Sequence, residues 1–252
     1  VREGTRSSIA VGYSYVYKFD KHGRFVKAKA RLVVRGDQQL RGAYENTYAA
    51  TLAGRSFRAI MAIAARFDLE LLQFDAVNAF VNAELDEDVF MRMPPGHRRV
   101  GWILQLNKAL YGLRRSPLLF QRELTQALKK LGYAPVPHEP CAYTRNGVII
   151  FFYVDDIVLA FRGAQRAEAL KTIIQLQNRY RLTGGEDLQW FLGIEILRDR
   201  RRRLIWLSQS SYIEKFAALV QSKLTARAPM TKEELLPFEG IATTLEITAY
   251  LR

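Results

Sequence analysis

The fourteen residues from Val148 to Phe161 are apolar except for Asp155 and Asp156 near their centre. A membrane-crossing helix needs about 20 largely uncharged residues, so this stretch is not expected to span a bilayer. Two short runs rich in aromatic and β-branched residues around a two-residue break read instead as paired strands, with Asp155-Asp156 as the turn. Neither run alternates with polar residues, so both faces are expected to be at least partly covered. A chain carrying such a hairpin must build layers around it.

The rest of the 252-residue chain supplies the material, since 49% of it is hydrophobic and 12% aromatic. Length suggests about one to two domains, and wholesale disorder is excluded. A net charge of +13 and a pI near 10 favour a polyanionic partner such as nucleic acid. A single cysteine, Cys141, rules out an internal disulfide framework, and neither C-x-x-C nor H-E-x-x-H occurs for a zinc site. A reducing, intracellular setting is expected. Val1-Arg2-Glu3-Gly4 carries no initiator Met or apolar targeting run, which reads as an excised piece.

Around the hairpin, periodicity predicts further elements. Tyr15 to Phe19 and Phe25 to Val34 read as a basic hairpin turning at Lys21-His22-Gly23. Lys27, Lys29 and Arg31 share one face of its second strand at period two. Ser56 is a candidate cap for a helix to about Arg66 that buries Phe57, Ile60, Met61 and Ala64. Leu69 to Asp75 reads as a strand. Ser116 is a second candidate cap, with Pro117 opening a helix of Leu118, Leu124, Leu128 and Leu131 that Gly132 ends. A helix from Gln165 to Tyr180 follows, with Ala169, Leu170, Ile173, Ile174 and Tyr180 apolar. Strands at Gln189 to Leu197 and Leu204 to Leu207, then a helix from Ser208, complete the pattern. This order predicts an α+β fold: a mixed sheet with helices on one face, in a split βαβ arrangement. His22, His97 and His138 stand apart without ligand spacing, and Cys141 reads as a small buried hydrophobe.

Asp155 and Asp156 at the tip of a rigid hairpin could hold a metal or could simply make a turn. Asp-Asp is a poor choice for a tight hairpin, which prefers Asn-Gly or Asp-Gly. Asp75 ends a separate strand and equally well reads as an acid of no special role. If the three met, oxygen donors with open positions would suit two Mg²⁺ or Mn²⁺ ions, which can clamp an in-line phosphoryl displacement.

Several ordered stretches now carry a family resemblance. Tyr153-Val154-Asp155-Asp156 resembles the Y-V-D-D box of reverse transcriptases, and Leu72-Gln73-Phe74-Asp75-Ala76-Val77-Asn78-Ala79-Phe80-Val81-Asn82 is similar to the copia-type version of their first catalytic motif. Leu106-Asn107-Lys108-Ala109-Leu110-Tyr111-Gly112-Leu113-Arg114-Arg115-Ser116-Pro117 resembles the L-N-K-A-L-Y-G-L-K-Q-S-P block of copia-type retrotransposon polyproteins. Lys27 to Gly36 looks like their K-A-R-L-V-A-K-G fingers block, and Phe191-Leu192-Gly193-Ile194-Glu195 matches F-L-G-I-E. The match runs in family order over about residues 15 to 220.

The resemblance implies an RNA-directed DNA polymerase with right-hand fingers and palm, a ferredoxin-like palm sheet and a partial thumb. It places residues 1–222 in fingers, palm and the start of the thumb, and 223–252 in a truncated thumb or connection segment. Asp75, Asp155 and Asp156 would be the catalytic, metal-binding carboxylates, with Asp75 and Asp155 the principal ligands of two Mg²⁺ or Mn²⁺ ions. Lys29 and Arg31 would approach the incoming dNTP triphosphate. Phe80 would be the steric gate against a ribose 2′-hydroxyl, Tyr111 and Gly112 would pack near the nascent base pair, and Tyr153 would lie beneath the primer end. Phe191, Leu192 and Gly193 would support the primer strand of an RNA template, DNA primer and RNA–DNA hybrid. The sequence departs from the family at Leu118-Leu119-Phe120-Gln121, where a basic residue, a tryptophan and a tyrosine are usual, and at Ala83 in place of glycine. Competing expectations are a degenerate copy that only binds nucleic acid, and another two-metal enzyme such as a nucleotide cyclase. The run Arg200 to Arg203 reads either as a contact to template phosphates or as a solvated loop. No residue argues for an oligomeric state.

Overall fold

The computed structural model describes residues 1–19, 24–39 and 47–220. The turn at 21–23, His22, and the expected boundary at 222/223 with the segment beyond it lie outside these. The chain divides into two compact units, Val1–Ser208 and Gln209–Arg252. In chain order the first holds β1 (Val11–Phe19), β2 (Phe25–Val34), α1 (Gly54–Phe67), β3 (Glu70–Ala76), β4 (Glu84–Arg92), β5 (Ile103–Lys108) and α2 (Ser116–Lys130). It continues with β6 (Ala134–Val136), β7 (Glu139–Arg145), β8 (Val148–Tyr153), β9 (Asp156–Phe161), α3 (Arg166–Gln177), β10 (Leu182–Asp187), β11 (Trp190–Phe191), β12 (Ile194–Asp199) and β13 (Leu204–Ser208). The described part of the second unit is one helix, α4 (Ser210–Val220).

The main sheet has six strands in the order β10-β3-β9-β8-β7-β6. Every neighbouring pair is antiparallel, so the expected mixed sheet is not what forms. The reason is interleaving. The segment β3-α2-β8 makes a split βαβ unit with β9 inserted between its parallel strands, and β9-α3-β10 makes a second with β3 inserted. The split arrangement itself is present.

Strands β8 and β9 are the driest part of the molecule, with Val148, Ile150, Phe151, Ile157, Val158, Leu159, Ala160 and Phe161 at 0% exposure. Both faces are covered by different elements, which corrects the expectation of helices on one face. On one face, Phe57 of α1 packs its ring 6.3 Å from Phe151, and α1 also packs on β13. On the other, Arg145 pairs with Glu168 of α3 and donates to the Leu131 carbonyl at the end of α2. A strand pair without polar alternation has no face to spare for water.

The helices form where periodicity predicts, but not with the predicted caps. α1 buries the expected Phe57, Ile60, Met61 and Ala64, yet starts at Gly54, with Ala53 as its N-cap and Ser56 inside the first turn. The cap position of α2 is Arg115; the Ser116 hydroxyl donates to the Leu110 carbonyl (2.6 Å) and not to its own helix. Gly132 ends α2 as expected, at φ +84°. α3 buries Ala169, Thr172, Ile173 and Leu176, whereas Leu170 and Ile174, expected on the apolar face, are exposed. The buried stripe passes through Thr172 because its hydroxyl has a partner in Tyr133 (3.0 Å). The expected strand from Gln189 to Leu197 is broken into β11 and β12. Leu192 and Gly193 both take positive φ between the paired Phe191 and Ile194, as a two-residue hairpin turn requires.

Departures from the family pattern are absorbed by packing. Leu118, Leu119 and Phe120 are buried, with Phe120 edge-on to Tyr180 at 6.1 Å. The Gln121 amide accepts from the Ala50 N–H and donates to the Cys141 sulfur. Burial pushes the Cys141 thiol up to about 12, so it is an inert core residue. Ala83 sits at φ −93°, where glycine has no advantage.

Candidate active site

The carboxylates meet because of strand register. Asp75 on β3 and Asp156 on β9 are direct cross-strand partners, and the Ala76 N–H donates to the Asp155 carbonyl (2.9 Å). Three acids from two distant segments thus share one end of the sheet. The turn lies one residue earlier than expected: Tyr153 pairs with Asp156, so Val154 and Asp155 make the tip and Asp156 opens β9. Val154 holds φ +55°, a left-handed conformation that β-branched residues rarely adopt. Such strain clusters where function constrains the backbone.

Burial, then the neighbouring Asp155 carboxylate, pushes Asp75 above its ordinary range; Lys29, Arg31 and Lys27 pull it back down. Solvent still reaches Asp75, which limits the size of the effect. Burial and Asp155 also raise Asp156, against a hydrogen bond donated by the Gln73 amide (3.3 Å). Gln73 sits inside the recognised motif but had no role assigned. Its position two residues before Asp75, on the same face of β3, is the signal that could have found it.

Beside the acids lies a cleft of about 220 Å³, lined in part by Gln73, Asp75, Asp156, Thr183 and Trp190. A larger cavity of about 300 Å³, between Leu71 and the β11–β12 strands, contains none of the three motif acids. Chemistry, not size, singles out the first. Thr183 is the β10 partner of Asp75, and the strand bulges just beyond it, after Gly184.

The basic strand is docked onto the site by backbone contacts. The Val34 N–H donates to the Tyr111 carbonyl (2.8 Å), and a Cβ on Gly112 would lie 2.0 Å from the Val34 carbonyl oxygen. With φ at +95° as well, only glycine fits there. Gly36 is its counterpart, where a Cβ would meet the Gly112 carbonyl oxygen at 2.0 Å. This close approach brings the Arg31 guanidinium over the Tyr111 ring at 5.5 Å, and the Phe80 ring lies 4.8 Å from Tyr111 on its own account. The Arg31 Nε is buried without a hydrogen-bond partner in the structure. A desolvated guanidinium nitrogen is costly unless an anion satisfies it. Burial and the nearby Asp155 raise the Tyr111 phenol, against Arg31.

Other candidates fall differently. Tyr153 is half-buried, directly across from Asp156. Phe191 is a core residue, stacked 5.2 Å from Phe57, while Leu192 and Gly193 form an exposed tip. Of the arginine run, Arg200 is bonded to Asp68 and Arg203 to the Arg66 carbonyl, so it is partly tied into the fold. His97 and His138 are exposed.

All three carboxylates offer hard oxygen donors, yet among the described residues no three His, Cys, Asp or Glu side chains converge into a ready metal cage.

Similarity to known proteins agrees with the geometry. A sequence model described as reverse transcriptase (RNA-dependent DNA polymerase) matches residues 3–232. The chain is 32% identical, over 80% of its length, to the retrovirus-related Pol polyprotein from transposon TNT 1-94 of Nicotiana tabacum. It is 29% identical, over 96% of its length, to the corresponding polyprotein from transposon RE1 of Arabidopsis thaliana. The transposon Ty1-DR1 Gag-Pol polyprotein of Saccharomyces cerevisiae is 25% identical over 76% of the chain. Matched regions span 16%, 18% and 11% of these relatives. With the family match covering most of its residues, the chain belongs to the reverse transcriptase (RNA-dependent DNA polymerase) family.

Proposed function

We propose that this chain is the polymerase region of a copia-type retrotransposon Pol polyprotein, adding deoxynucleotides to a DNA primer on an RNA template. In this reading the six-stranded sheet is the palm, the β1–β2 hairpin belongs to the fingers, and α4 opens the thumb. The observation that carries it is the pairing of Asp75 with Asp156 beside the Asp155 turn, with Lys27, Lys29 and Arg31 within electrostatic reach of Asp75. Acids with bases in electrostatic reach suit a reaction that brings a polyanion to metal-binding carboxylates.

Asp75 and Asp155 would hold two divalent ions, Mg²⁺ or Mn²⁺, with Asp156 beside them. When bound, the ions supply charge neutralisation for the triphosphate and activation of the primer 3′-hydroxyl. The chain's own residues do the rest. Arg31 donates its unsatisfied Nε–H to a triphosphate oxygen, and Lys29 adds a second cation on the same strand face. The Phe80 ring, backed by Tyr111, closes over the sugar and excludes a 2′-hydroxyl. Gly112 lets the backbone approach the base pair, and Tyr153 supports the primer terminus. Leu192 and Gly193 meet the primer strand from a tip that Phe191 anchors in the core. Contacts of this kind read phosphates rather than bases, so little template sequence preference is expected.

Primer extension on an RNA template with a DNA primer, comparing the native chain with Asp155→Asn, tests this reading. Extension that falls by about 10³-fold in the variant, with template binding retained, is the expected result. A folded native protein that binds template but does not extend would overturn it and leave only nucleic-acid binding.

A further inference from the structure

Gln73 lines the cleft beside the carboxylates, yet the proposed polymerase role gives it no part. Strand register puts it there. Asp75 lies between Asp156 of β9 and Thr183 of β10, and Gln73, two residues earlier on β3, shares the face of Asp75. Its direct partners are Val158 on β9 and Glu186 on β10, which sets Asp156 on the diagonal, within reach of a long side chain. The Gln73 Nε2 spans that diagonal and donates to Asp156 Oδ1 at 3.3 Å. On the other side, the bulge after Gly184 shifts the register by one residue, so Glu186 comes opposite Gln73 and lines the same cleft. A Cβ on Gly184 would lie 2.6 Å from the Gln73 carbonyl oxygen, at a φ of +105°, so only glycine lets β10 come this close.

Charge decides what residue 73 can be. Acids flank it on both neighbouring strands, and Asp75 stands on its own strand. Carboxylates crowded at one end of a sheet repel one another, and each is free to rotate unless something holds it. A lysine at this position would hold Asp156 but would neutralise it and repel a divalent cation. Another acid would add to the repulsion, and an apolar side chain would leave Asp156 unheld. An amide N–H engages one carboxylate oxygen and adds no net charge. Hydrogen bonds of this kind orient carboxylates that ligate metal.

We propose that Gln73 is a positioning residue that acts through Asp156, holding its carboxylate by Oδ1 so that a divalent ion meets acids that are already oriented. This inference rests on the polymerase reading for what the acids do, but its metal-binding readout does not require turnover.

The test uses the full chain and two variants. Gln73→Met keeps the length of the side chain and loses the donor, whereas Gln73→Asn keeps an amide that no longer reaches Asp156. Mn²⁺ uptake, followed by the electron paramagnetic resonance signal of the free ion, is expected to weaken about tenfold in both. Primer extension should then need about tenfold more Mg²⁺, with the KM for dNTP unchanged at saturating metal. In an Asp156→Ala background, Gln73→Met should change Mn²⁺ affinity no further, because the residue it acts through is gone. A merely structural role predicts the same loss in both backgrounds, and that result would overturn the proposal. Equal Mn²⁺ affinities of native protein and Gln73→Met, or a native chain that takes up no Mn²⁺, would overturn it as well. The two readings fail separately: native protein that binds Mn²⁺ with the expected coupling but extends no primer removes the polymerase reading alone, and extension that is indifferent to Gln73 removes this inference alone.

Discussion

The β8–β9 strand pair and the β1–β2 hairpin are built alike, as two antiparallel strands joined by a short connection, and they solve opposite problems. The first is dry on both faces and ends in acids; the second is wet on both faces and carries bases on one side and tyrosines on the other. Burial locks the register of β8–β9, since a slip of one residue would turn every side chain to the wrong layer. Nothing comparable holds the hairpin along most of its length. Its base is pinned by a small cluster of Val34, Val89, Met91 and Leu113 and by the backbone contact with Tyr111 and Gly112. The first strand pair is held by burial, whereas the second keeps most of its side chains in solvent.

The sharpest way to break this contrast is a ring deletion in each pair. Phe151→Ala removes a fully buried ring between Phe57 and Phe191 and is expected to cost about 3–5 kcal/mol. Tyr15→Ala is expected to change stability by less than about 0.5 kcal/mol. Urea unfolding midpoints check both, and equal losses would show that the hairpin belongs to the core after all.

Next in size is the joint between the two regions. Gly112→Ala forces a Cβ onto the Val34 carbonyl oxygen and a strained φ, which is expected to cost about 2–3 kcal/mol. The same variant should raise the KM for dNTP as the Arg31 strand is pushed away. A stability loss with an unchanged KM would mean that hairpin and site are not mechanically linked. Arg31→Ala acts on the same link without touching the backbone. Loss of a charged hydrogen bond of about 1.5–3 kcal/mol corresponds to a rise in KM of roughly 10–150-fold, with steady-state kinetics as the measurement.

The smallest effect is a stabilisation. Asp156 is raised in the folded state, so its ionised form is less favourable there than in the unfolded chain. For a carboxylate shifted this way, stability is greatest while the group is protonated, and it falls as pH rises through the folded-state pKa. Asp156→Asn in chelator-treated protein is therefore expected to raise Tm by about 2 °C at pH 7. The gain should disappear as pH falls below the ordinary carboxylate range. A variant less stable at neutral pH would mean that the Gln73 bond outweighs burial and the charge of Asp155.

Much of this was legible beforehand because local patterns have local causes. The four buried residues of α1, the end of α2 at Gly132 and the strand from Phe25 to Val34 follow from periodicity and from the left-handed freedom of glycine. Ser56 and Ser116 have the chemistry of caps at nearly the right place, but Ala53 and Arg115 hold the cap positions and the Ser116 hydroxyl donates to the Leu110 carbonyl. The turn was misplaced by one residue because Asp-Asp looks more like a turn than Val-Asp does. Pairing of Asp75 with Asp156 makes the second acid a strand residue.

From the amino-acid order alone came the family motifs, the dry hairpin, the basic strand face and the candidate carboxylates, because each is a property of neighbours along the chain. Only the tertiary structure decided that every sheet neighbour is antiparallel, that Asp75 lies opposite Asp156, and that α1 and α3 take opposite faces of the sheet. It also decided that Arg31 keeps a buried nitrogen unsatisfied above the Tyr111 ring. These depend on contacts between segments tens of residues apart, whose register is selected by burial and close backbone approach rather than by any local preference.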